Sequence, residues 1–151
     1  MITHYAGQFR EIGTLFHEAV HRTASAFYTA AQCEAWAPTP GDQERWRWRC
    51  ELKRPFVYLD GMAVIGFVEL DPDGHIDCLY VHPDRNRQGI GSALVGHALA
   101  ICREVGLERS YAQASHIAKG LFLQNGFTVT AFQTVEVRGQ RLDNWLVERA
   151  P

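Results

Sequence analysis

The segment from Val81 to Leu94, VHPDRNRQGIGSAL, constrains the fold more than any other part of the chain. The apolar run before it predicts a β-strand over 76–81, and the residues after it repeat apolar side chains at helical spacing. Those apolar positions are Ile90, Leu94, Ala98, Ile101 and Val105. The basic, glycine-bearing turn between the two elements therefore lies at a helix N-terminus. There the first backbone N–H groups lack intrahelical partners and the helix dipole is positive, which suits a bound phosphate.

The spacing of the glycines separates this turn from other phosphate-binding motifs. Gly89 and Gly91 let the main chain approach a ligand closely, and Arg87 adds positive charge. A P-loop would require a lysine after the glycines, and none follows. A dinucleotide-binding fingerprint would require a third glycine or an alanine where Leu94 stands. What remains is a Gly-x-Gly pair preceded by basic and amide side chains.

This pattern resembles the pyrophosphate loop of the GNAT superfamily of acetyl-CoA-dependent N-acetyltransferases, which reads Arg/Gln-x-x-Gly-x-Gly/Ala. Asn86 occupies the first position, where the family usually has arginine or glutamine, but its amide can still donate a hydrogen bond. The resemblance covers 2–146 and is most specific over 62–127. Segments 32–38 and 138–144 also resemble a bacterial subgroup of small GNAT enzymes, which suggests no definite substrate.

Length, charge and cysteine content limit which classes of protein this chain can belong to. The 151 residues fit one domain over 1–151, and a net charge of −2 argues against a nucleic-acid partner. The tryptophans and arginines of 45–49 are therefore interpreted as cover for a sheet edge rather than as a base-stacking surface. The four cysteines are far apart, so neither a disulfide framework nor a zinc site is expected. Without a secretory leader or an apolar run of roughly 20 residues, we expect a soluble, cytoplasmic protein with no membrane partner.

Hydrophobic periodicity predicts helices and strands along the whole chain. Helices are expected over 9–20, 24–36, 43–50, 90–105 and 116–124. Strands are expected over 2–5, 56–59, 62–70, 75–81, 109–114, 127–137 and 141–147. The GNAT resemblance implies how these elements are arranged. It implies an α/β fold of one domain, with a mixed, mainly antiparallel sheet that splays between the fourth and fifth strands and is flanked by helices.

The resemblance also implies where acetyl-CoA (coenzyme A) binds. Its pyrophosphate would lie on the backbone N–H groups of Arg87, Gln88, Gly89, Ile90, Gly91 and Ser92. Its pantetheine arm would lie as a pseudo-strand beside Leu79, Tyr80 and Val81. A backbone N–H group of this strand would stabilise the oxyanion of the tetrahedral intermediate.

Acetyl transfer to an amine also needs a base, because an alkyl amine is mostly protonated at neutral pH. Regular alternation along the fourth strand puts Asp77 on the same face as His75 and Leu79. Asp77 is the preferred base, and Glu69 on the neighbouring strand is the second carboxylate. His75 lies closest to the place of the family's catalytic glutamate. That Asp77 only caps a hairpin or pairs with an arginine is an equally weighted alternative.

The departing thiolate needs a proton, which a tyrosine on the helix after the fifth strand often supplies in the family. Phe122 stands at that place, and Ser115 stands where that helix often begins with asparagine. A thiolate with a pKa of about 8.5 can also leave unaided and take a proton from water. Tyr80 and Tyr111 are the alternative donors.

The acyl-acceptor pocket is expected beside the second helix. Tyr28, Gln32 and Trp36 recur four residues apart, so in a helix over 24–36 they share one face. The same spacing also fits a helix packed on the sheet. His17 and His21 lie one turn apart but have no third ligand nearby, so no metal is expected.

These residues predict an acetyl-CoA-dependent N-acetyltransferase that modifies a primary amine of a small molecule or, as a second choice, of a peptide. A non-catalytic acyl-CoA-binding sensor with the same fold is the alternative. The missing tyrosine favours the sensor, whereas the ionisable groups of the fourth strand oppose it. Dimers are frequent in the family, so a homodimer is expected.

Overall fold

The computed structural model describes residues 1–151, which form seven β-strands and five α-helices. The strands are β1 (Ile2–His4), β2 (Phe56–Asp60), β3 (Ala63–Leu70), β4 (Ile76–Val81), β5 (Ser110–Ala114), β6 (Thr128–Val137) and β7 (Gln140–Arg149). The α-helices are α1 (Phe9–Glu18), α2 (Ala30–Trp36), α3 (Gln43–Lys53), α4 (Ile90–Glu104) and α5 (Ala118–Gln124). None of these helices combines the length and apolar character needed to cross a membrane.

Two antiparallel sheets meet between β4 and β5. The strand orders are β1-β2-β3-β4 and β5-β7-β6, and one isolated parallel bridge between His75 and Tyr111 joins the two sheets. Beyond that bridge β4 and β5 diverge, so the edge of β4 that faces β5 has no strand partner. The expected α/β fold, with a mainly antiparallel sheet splayed at its fourth and fifth strands, is confirmed.

Three groups of apolar side chains attach the helices to the sheets. On one face α4 and α5 pack through Ile65, Val68, Ile76, Ile90, Leu94, Val95, Ala98, Leu99, Ala112, Ala114, Phe122, Phe127 and Val147. On the opposite face α1 and α3 pack through Tyr5, Ile12, Leu15, Cys50, Val57, Val64 and Phe67. Beside them, α2 reaches β7 through Val20, Ala24, Tyr28, Cys33, Ala37 and Leu142. Tyr80 packs against the second and the third group, which places it between the two sheets.

The expected helix over 24–36 is wrong in its first half. After α1 the chain forms a π-helical turn (Ala19–Thr23) and a 3-10 turn (Ala24–Ala26), and α2 begins only at Ala30. The Thr29 hydroxyl accepts from the backbone N–H of Gln32, and the side-chain oxygen of Gln32 accepts from the N–H of Thr29. This capping box starts a separate helix.

A β-bulge interrupts the regular alternation of β4. Glu69 of β3 pairs with Cys78, whereas Leu70 pairs with Ile76, so Asp77 is an extra residue with no partner on β3. The predicted two-residue periodicity therefore stops at this point of the strand.

The bulge changes the face on which Asp77 lies. Ile76 and Leu79 both pack toward α4, while Asp77 and Cys78 both contact Arg49 of α3. The expectation that Asp77 shares a face with Leu79 is wrong, because two successive residues of a bulge can lie on the same side of the sheet.

Candidate functional site

A cleft of about 880 Å³ opens where β4 and β5 diverge. Its walls are the π-helical turn, the end of β4, the first turn of α4 and the segment 115–124. The predicted cofactor-binding residues that line it are Leu79, Tyr80, Val81, Arg87, Gly89, Ile90, Gly91 and Ser92. Gln88 does not line the cleft, and its side-chain oxygen accepts a hydrogen bond from Nε of Arg85 at 3.1 Å.

The loop before α4 owes its shape to two glycines with different roles. Gly89 is the N-cap of α4 and has a φ of 79°, a left-handed conformation that suits glycine. A Cβ atom on Gly91 would lie 2.7 Å from Cδ2 of Leu121, so this glycine permits close packing of α4 against α5. The N–H groups of the first turn of α4, which lack intrahelical acceptors, are thereby brought to the cleft wall. This wall can hold an anion through backbone groups.

Two polar contacts connect this loop to the opposite wall of the cleft. Nδ2 of Asn86 donates to Oγ1 of Thr23 at 3.3 Å, and Arg22 pairs with Asp84 at 2.5 Å. Thr23 belongs to the π-helical turn, a form of helix that occurs frequently at functional sites. Asn86, where the sequence departs from the family pattern, thus links the two walls.

Glu69, the second carboxylate candidate, is fully buried beneath α3. Its two oxygens accept hydrogen bonds from Nε and Nη2 of Arg49 at 2.7 and 2.6 Å. This bidentate pair compensates the buried negative charge, and it raises the pKa of Arg49. Both carboxylate oxygens are covered by the guanidinium, and Glu69 does not line the cleft.

Asp77, the preferred base, lies in the same ion-pair network but is 33% exposed. Its carboxylate is 2.7 Å from Nζ of Lys53 and 3.1 Å from Nη2 of Arg49. Burial acts to raise the pKa of Asp77, but the hydrogen bond and charge of Lys53 outweigh it, and the pKa falls below its ordinary value. Lys53 also pairs with Asp71 at 2.6 Å, so one ammonium group joins two carboxylates.

His75 lies at the closed end of the splay, where β4 meets β5. Nδ1 is 3.1 Å from a carboxylate oxygen of Asp71, and Nε2 is 2.6 Å from the side-chain oxygen of Gln113. The ring stacks on Tyr111 with centroids 4.8 Å apart. Both ring nitrogens are engaged, and the cleft walls do not include His75.

Of the tyrosines considered as proton donors, the cleft contains only Tyr80. Burial, followed by the charge of Cys78, raises the pKa of the Tyr80 hydroxyl well above its ordinary value. Tyr111 instead donates its hydroxyl to Asp73 outside the cleft. Phe122 is buried against Phe127 with ring centroids 4.9 Å apart, so this position belongs to the core.

The three residues proposed for the acyl-acceptor pocket do not share one helix face. Tyr28 precedes α2, and its hydroxyl donates to the carbonyl of Asp143 at 2.8 Å. Gln32 donates from Nε2 to the carbonyl of Arg141 at 2.8 Å. Trp36 alone of the three lines the cleft, whereas Tyr28 and Gln32 attach the α2 region to β7.

Sequence reasoning missed Arg49 and Lys53, which organise the carboxylates of β3 and β4. They lie four residues apart on α3, a spacing that places them on one helix face. That signal was present, but their partners depend on how α3 packs across the two strands. The capping box that begins at Thr29 was also readable, as Thr-x-x-Gln before an apolar helix.

Comparison with known proteins identifies the family. Residues 17–127 match the model of the Acetyltransferase (GNAT) family. The chain belongs to the GNAT acetyltransferase family. It is 30% identical over 145 residues to the uncharacterised N-acetyltransferase YafP of Escherichia coli K12, a match that covers 96% of this chain and 91% of YafP. The resemblance inferred from the glycine loop is therefore confirmed, and the enzyme class is acetyltransferase.

Solved structures show the same fold. A GCN5-related N-acetyltransferase from Rhodopseudomonas palustris superposes with a TM-score of 0.94 at 23% identity, covering 100% of this chain and 95% of that one. YncA from Salmonella typhimurium, solved with its cofactor acetyl-CoA, gives a TM-score of 0.72 at 20% identity, covering 99% of this chain and 92% of that one. At these identities the two structures support the fold.

Proposed function

We propose that this GNAT protein transfers the acetyl group of acetyl-CoA to a primary amine. The cleft between β4 and β5 carries the proposal, because its wall combines an unpartnered strand edge with the N-terminal turn of α4. The structure of YncA with acetyl-CoA supports the choice of donor. A small-molecule amine is the first choice of acyl acceptor, and a peptide amine is the second.

In this proposal the main chain holds the donor. The pyrophosphate lies against the N–H groups from Arg87 to Ser92, where the helix dipole stabilises negative charge. The pantetheine amides form strand-like hydrogen bonds with the free edge of β4 over Leu79, Tyr80 and Val81. One N–H group of that edge stabilises the oxyanion that forms when the amine attacks the thioester carbon.

We favour Asp77 as the base, acting through water. None of the three candidates lines the cleft, and the Asp77 carboxylate is paired with Lys53 and Arg49. The preference rests on exposure, because the Asp77 side chain is 33% exposed, whereas Glu69 is fully buried and both nitrogens of His75 are engaged. The amine loses a proton toward Asp77 as its nitrogen bonds to the acetyl carbon. When the carbon–sulfur bond breaks, the thiolate takes a proton from Tyr80 or from water.

The experiment that tests the proposal has two steps on one purified sample. Calorimetric titration with acetyl-CoA measures donor binding, and thiol release is then followed with a panel of small amines and a lysine-containing peptide. Donor binding with thiol release for one class of amine supports the enzyme and identifies its acceptor. Donor binding without release for any amine would favour the acyl-CoA sensor, and no donor binding would contradict the assignment of the glycine loop.

The homodimer and the cytoplasmic location stay predictions. The exposed edge strand β6 offers a surface for self-association, since Phe132 on it is 58% exposed. Light scattering of the wild type and of Phe132→Asp tests the dimer: loss of a dimer in the variant supports pairing through β6, and a monomeric wild type contradicts the expectation.

A further inference from the structure

The cleft between β4 and β5 contains one histidine, His116. The ionisable side chains that line this cleft are Tyr80, Arg85, Arg87 and His116, and no carboxylate lines it. The two arginines keep their charge and do not release protons. Burial, followed by the charge of Cys78, raises the pKa of Tyr80 well above its ordinary value, so its hydroxyl is a weak acid. Histidine is the residue type that both takes and gives a proton near neutral pH.

The ring of His116 is held in place by aromatic neighbours, while its nitrogens stay free. It lies parallel to the ring of Phe27 with centroids 5.6 Å apart, and edge-on to the ring of Trp145 at 4.5 Å. The Tyr28 hydroxyl accepts a hydrogen bond from the backbone N–H of His116 at 3.1 Å. Neither ring nitrogen of His116 bonds to another residue, and the side chain is exposed. The ring is therefore oriented without its proton-carrying atoms being occupied.

The strand register places His116 across the cleft from the free edge of β4. The two strands run parallel from the bridge between His75 and Tyr111. Counting along both strands from this bridge, and leaving out the bulged residue Asp77, brings His116 level with Val81. Val81 belongs to the strand edge along which the pantetheine arm is proposed to bind. A thioester held on that edge has the His116 side chain on the opposite wall.

The charged and titratable groups around His116 come from three elements. On α5, Nζ of Lys119 lies 4.5 Å from the centroid of the Trp145 ring. On β7, the carboxylate of Asp143 accepts a hydrogen bond from Thr134. Before α2, the Tyr28 hydroxyl donates to the carbonyl of Asp143 at 2.8 Å. No carboxylate contacts the His116 ring, so no ion pair fixes it in the protonated form.

We infer that His116 is a catalytic residue that carries a proton from the attacking amine to the sulfur of coenzyme A. The inference rests on the proposed function and concerns its last proton transfer, for which Tyr80 and water are the other donors. A thiol has an ordinary pKa of about 8.5, so a protonated imidazole is the stronger acid and transfers its proton to a thiolate favourably.

The proton balance of the reaction leaves one proton for this relay. The ammonium form of the acceptor loses its first proton toward Asp77, and the neutral nitrogen then bonds to the acetyl carbon, whose carbonyl becomes an oxyanion. A ring nitrogen of His116 takes the second proton from that nitrogen. As the carbonyl forms again, the carbon–sulfur bond breaks and its electron pair goes to sulfur, which takes the proton from His116. The products are an amide, a free thiol and a neutral imidazole.

The test compares His116→Phe and His116→Ala with the control His4→Phe. Phenylalanine keeps an aromatic ring between Phe27 and Trp145, so His116→Phe separates proton transfer from packing. His4 is exposed on β1 and does not line the cleft, so the control makes the same exchange elsewhere. With the amines that give thiol release, kcat and the acetyl-CoA KM are measured from about pH 5 to pH 8, with and without added imidazole. Thermal unfolding midpoints are recorded for every variant.

We expect His116→Phe to lower kcat about 100-fold, the lower end of what one general acid–base residue contributes. The acetyl-CoA KM and the unfolding midpoint should stay unchanged. A protonated imidazole cannot take the proton of the amine, so wild-type kcat should fall as pH falls through the histidine range, and His116→Phe should lose this part of the fall. Added imidazole should restore activity to His116→Ala but not to His116→Phe, in which a ring fills the space.

A second measurement needs no acceptor and no variant. Histidine ring resonances of the wild type, assigned by triple-resonance NMR, are recorded with coenzyme A and with desulfo-coenzyme A, which lacks the sulfur atom. The His116 resonances should differ between the two complexes, because the inference places the sulfur beside this ring. Those of His4 should be the same in both.

Three results would overturn the inference. They are full activity of His116→Phe, an equal loss of activity in His4→Phe, and His116 resonances that are the same with both forms of the cofactor. If the wild type releases no thiol with any amine, the proposed function fails and the resonances decide the placement of His116: a difference supports it, and identity contradicts it. If the variants do not fold, the wild-type resonances decide in the same way.

Discussion

The proposed cofactor site and the ion-pair network of β3 and β4 are built in different ways. The proposed cofactor site comes from one continuous segment, 79–92, which contributes the backbone of a strand edge, a turn and the start of a helix to the cleft wall. The carboxylates proposed for the chemical step are instead held by a distant segment, as the contacts of Arg49 on α3 with Glu69 and Asp77 show. A site built from the backbone of one segment depends on the conformation of a few residues, whereas a site built from side chains depends on partners that other helices and strands contribute.

The largest effect is expected at the cofactor end, from Gly89→Glu. The substitution forces a left-handed conformation on a non-glycine residue and adds a negative charge where the pyrophosphate is proposed to bind. Affinity for coenzyme A should fall at least about 100-fold, measured by calorimetry. Gly106→Glu is the matched control, since Gly106 has a φ of 78° at the other end of α4. Equal affinity in both variants would contradict the loop assignment.

As the proposed base, Asp77 should act only in the chemical step, so Asp77→Asn should lower kcat about 100-fold while the affinity for acetyl-CoA stays unchanged. Asp71→Asn serves as control, since Asp71 shares the Lys53 ammonium with Asp77. Normal turnover of Asp77→Asn would move the base to Glu69 or His75.

Arg49→Met should destabilise the protein by about 3 kcal/mol, because it leaves the carboxylate of Glu69 buried without its partner. The free energy of unfolding is measured by urea denaturation. The double variant Arg49→Met/Glu69→Leu should recover most of the loss, since it removes both charges. A small loss in the single variant would mean that water replaces the guanidinium at Glu69.

The network also predicts the acid stability of the protein. The folded-state pKa of Asp77 is lowered, so its stabilising contribution is present above the unfolded value of about 3.9 and is lost as pH falls through the folded value. Unfolding midpoints measured from pH 6 to pH 3 should fall in the acid range, and Asp77→Asn should flatten that decline. Parallel curves for the two proteins would contradict the role of the Lys53 pair.

The smallest effect is expected from Arg87→Gly, in which two consequences oppose each other. Arg87 has a φ of 62°, so glycine should stabilise the free protein by about 1 kcal/mol. Loss of the guanidinium should weaken coenzyme A binding a few-fold, with a stronger effect at low salt. Unfolding midpoints and calorimetry at two salt concentrations separate the two effects.

The same difference between local backbone conformation and long-range side-chain contacts explains which parts of the molecule could be predicted from the sequence. The family and the glycine loop were readable, because Gly89, Gly91 and the flanking periodicities act over a few residues. The splayed sheet was expected only because the resemblance to that family implies it. The face of Asp77 was predicted wrongly, because nothing in the local pattern marks the extra residue of a bulge. The helix over 24–36 was predicted as continuous, although Thr29 and Gln32 carry the signature of a new start.

The sequence by itself determined the GNAT family and the strand–turn–helix unit, and it predicted that the turn binds phosphate. Only the tertiary structure decided that Glu69 is buried under Arg49, that Asp77 pairs with Lys53 and that the Oδ1 atom of Asn144 is left unpaired. The physical reason is the distance along the chain over which the deciding interactions act. Backbone conformation at a glycine is fixed by neighbouring atoms, whereas the charge and hydrogen bonding of a buried side chain depend on the elements that packing brings to it.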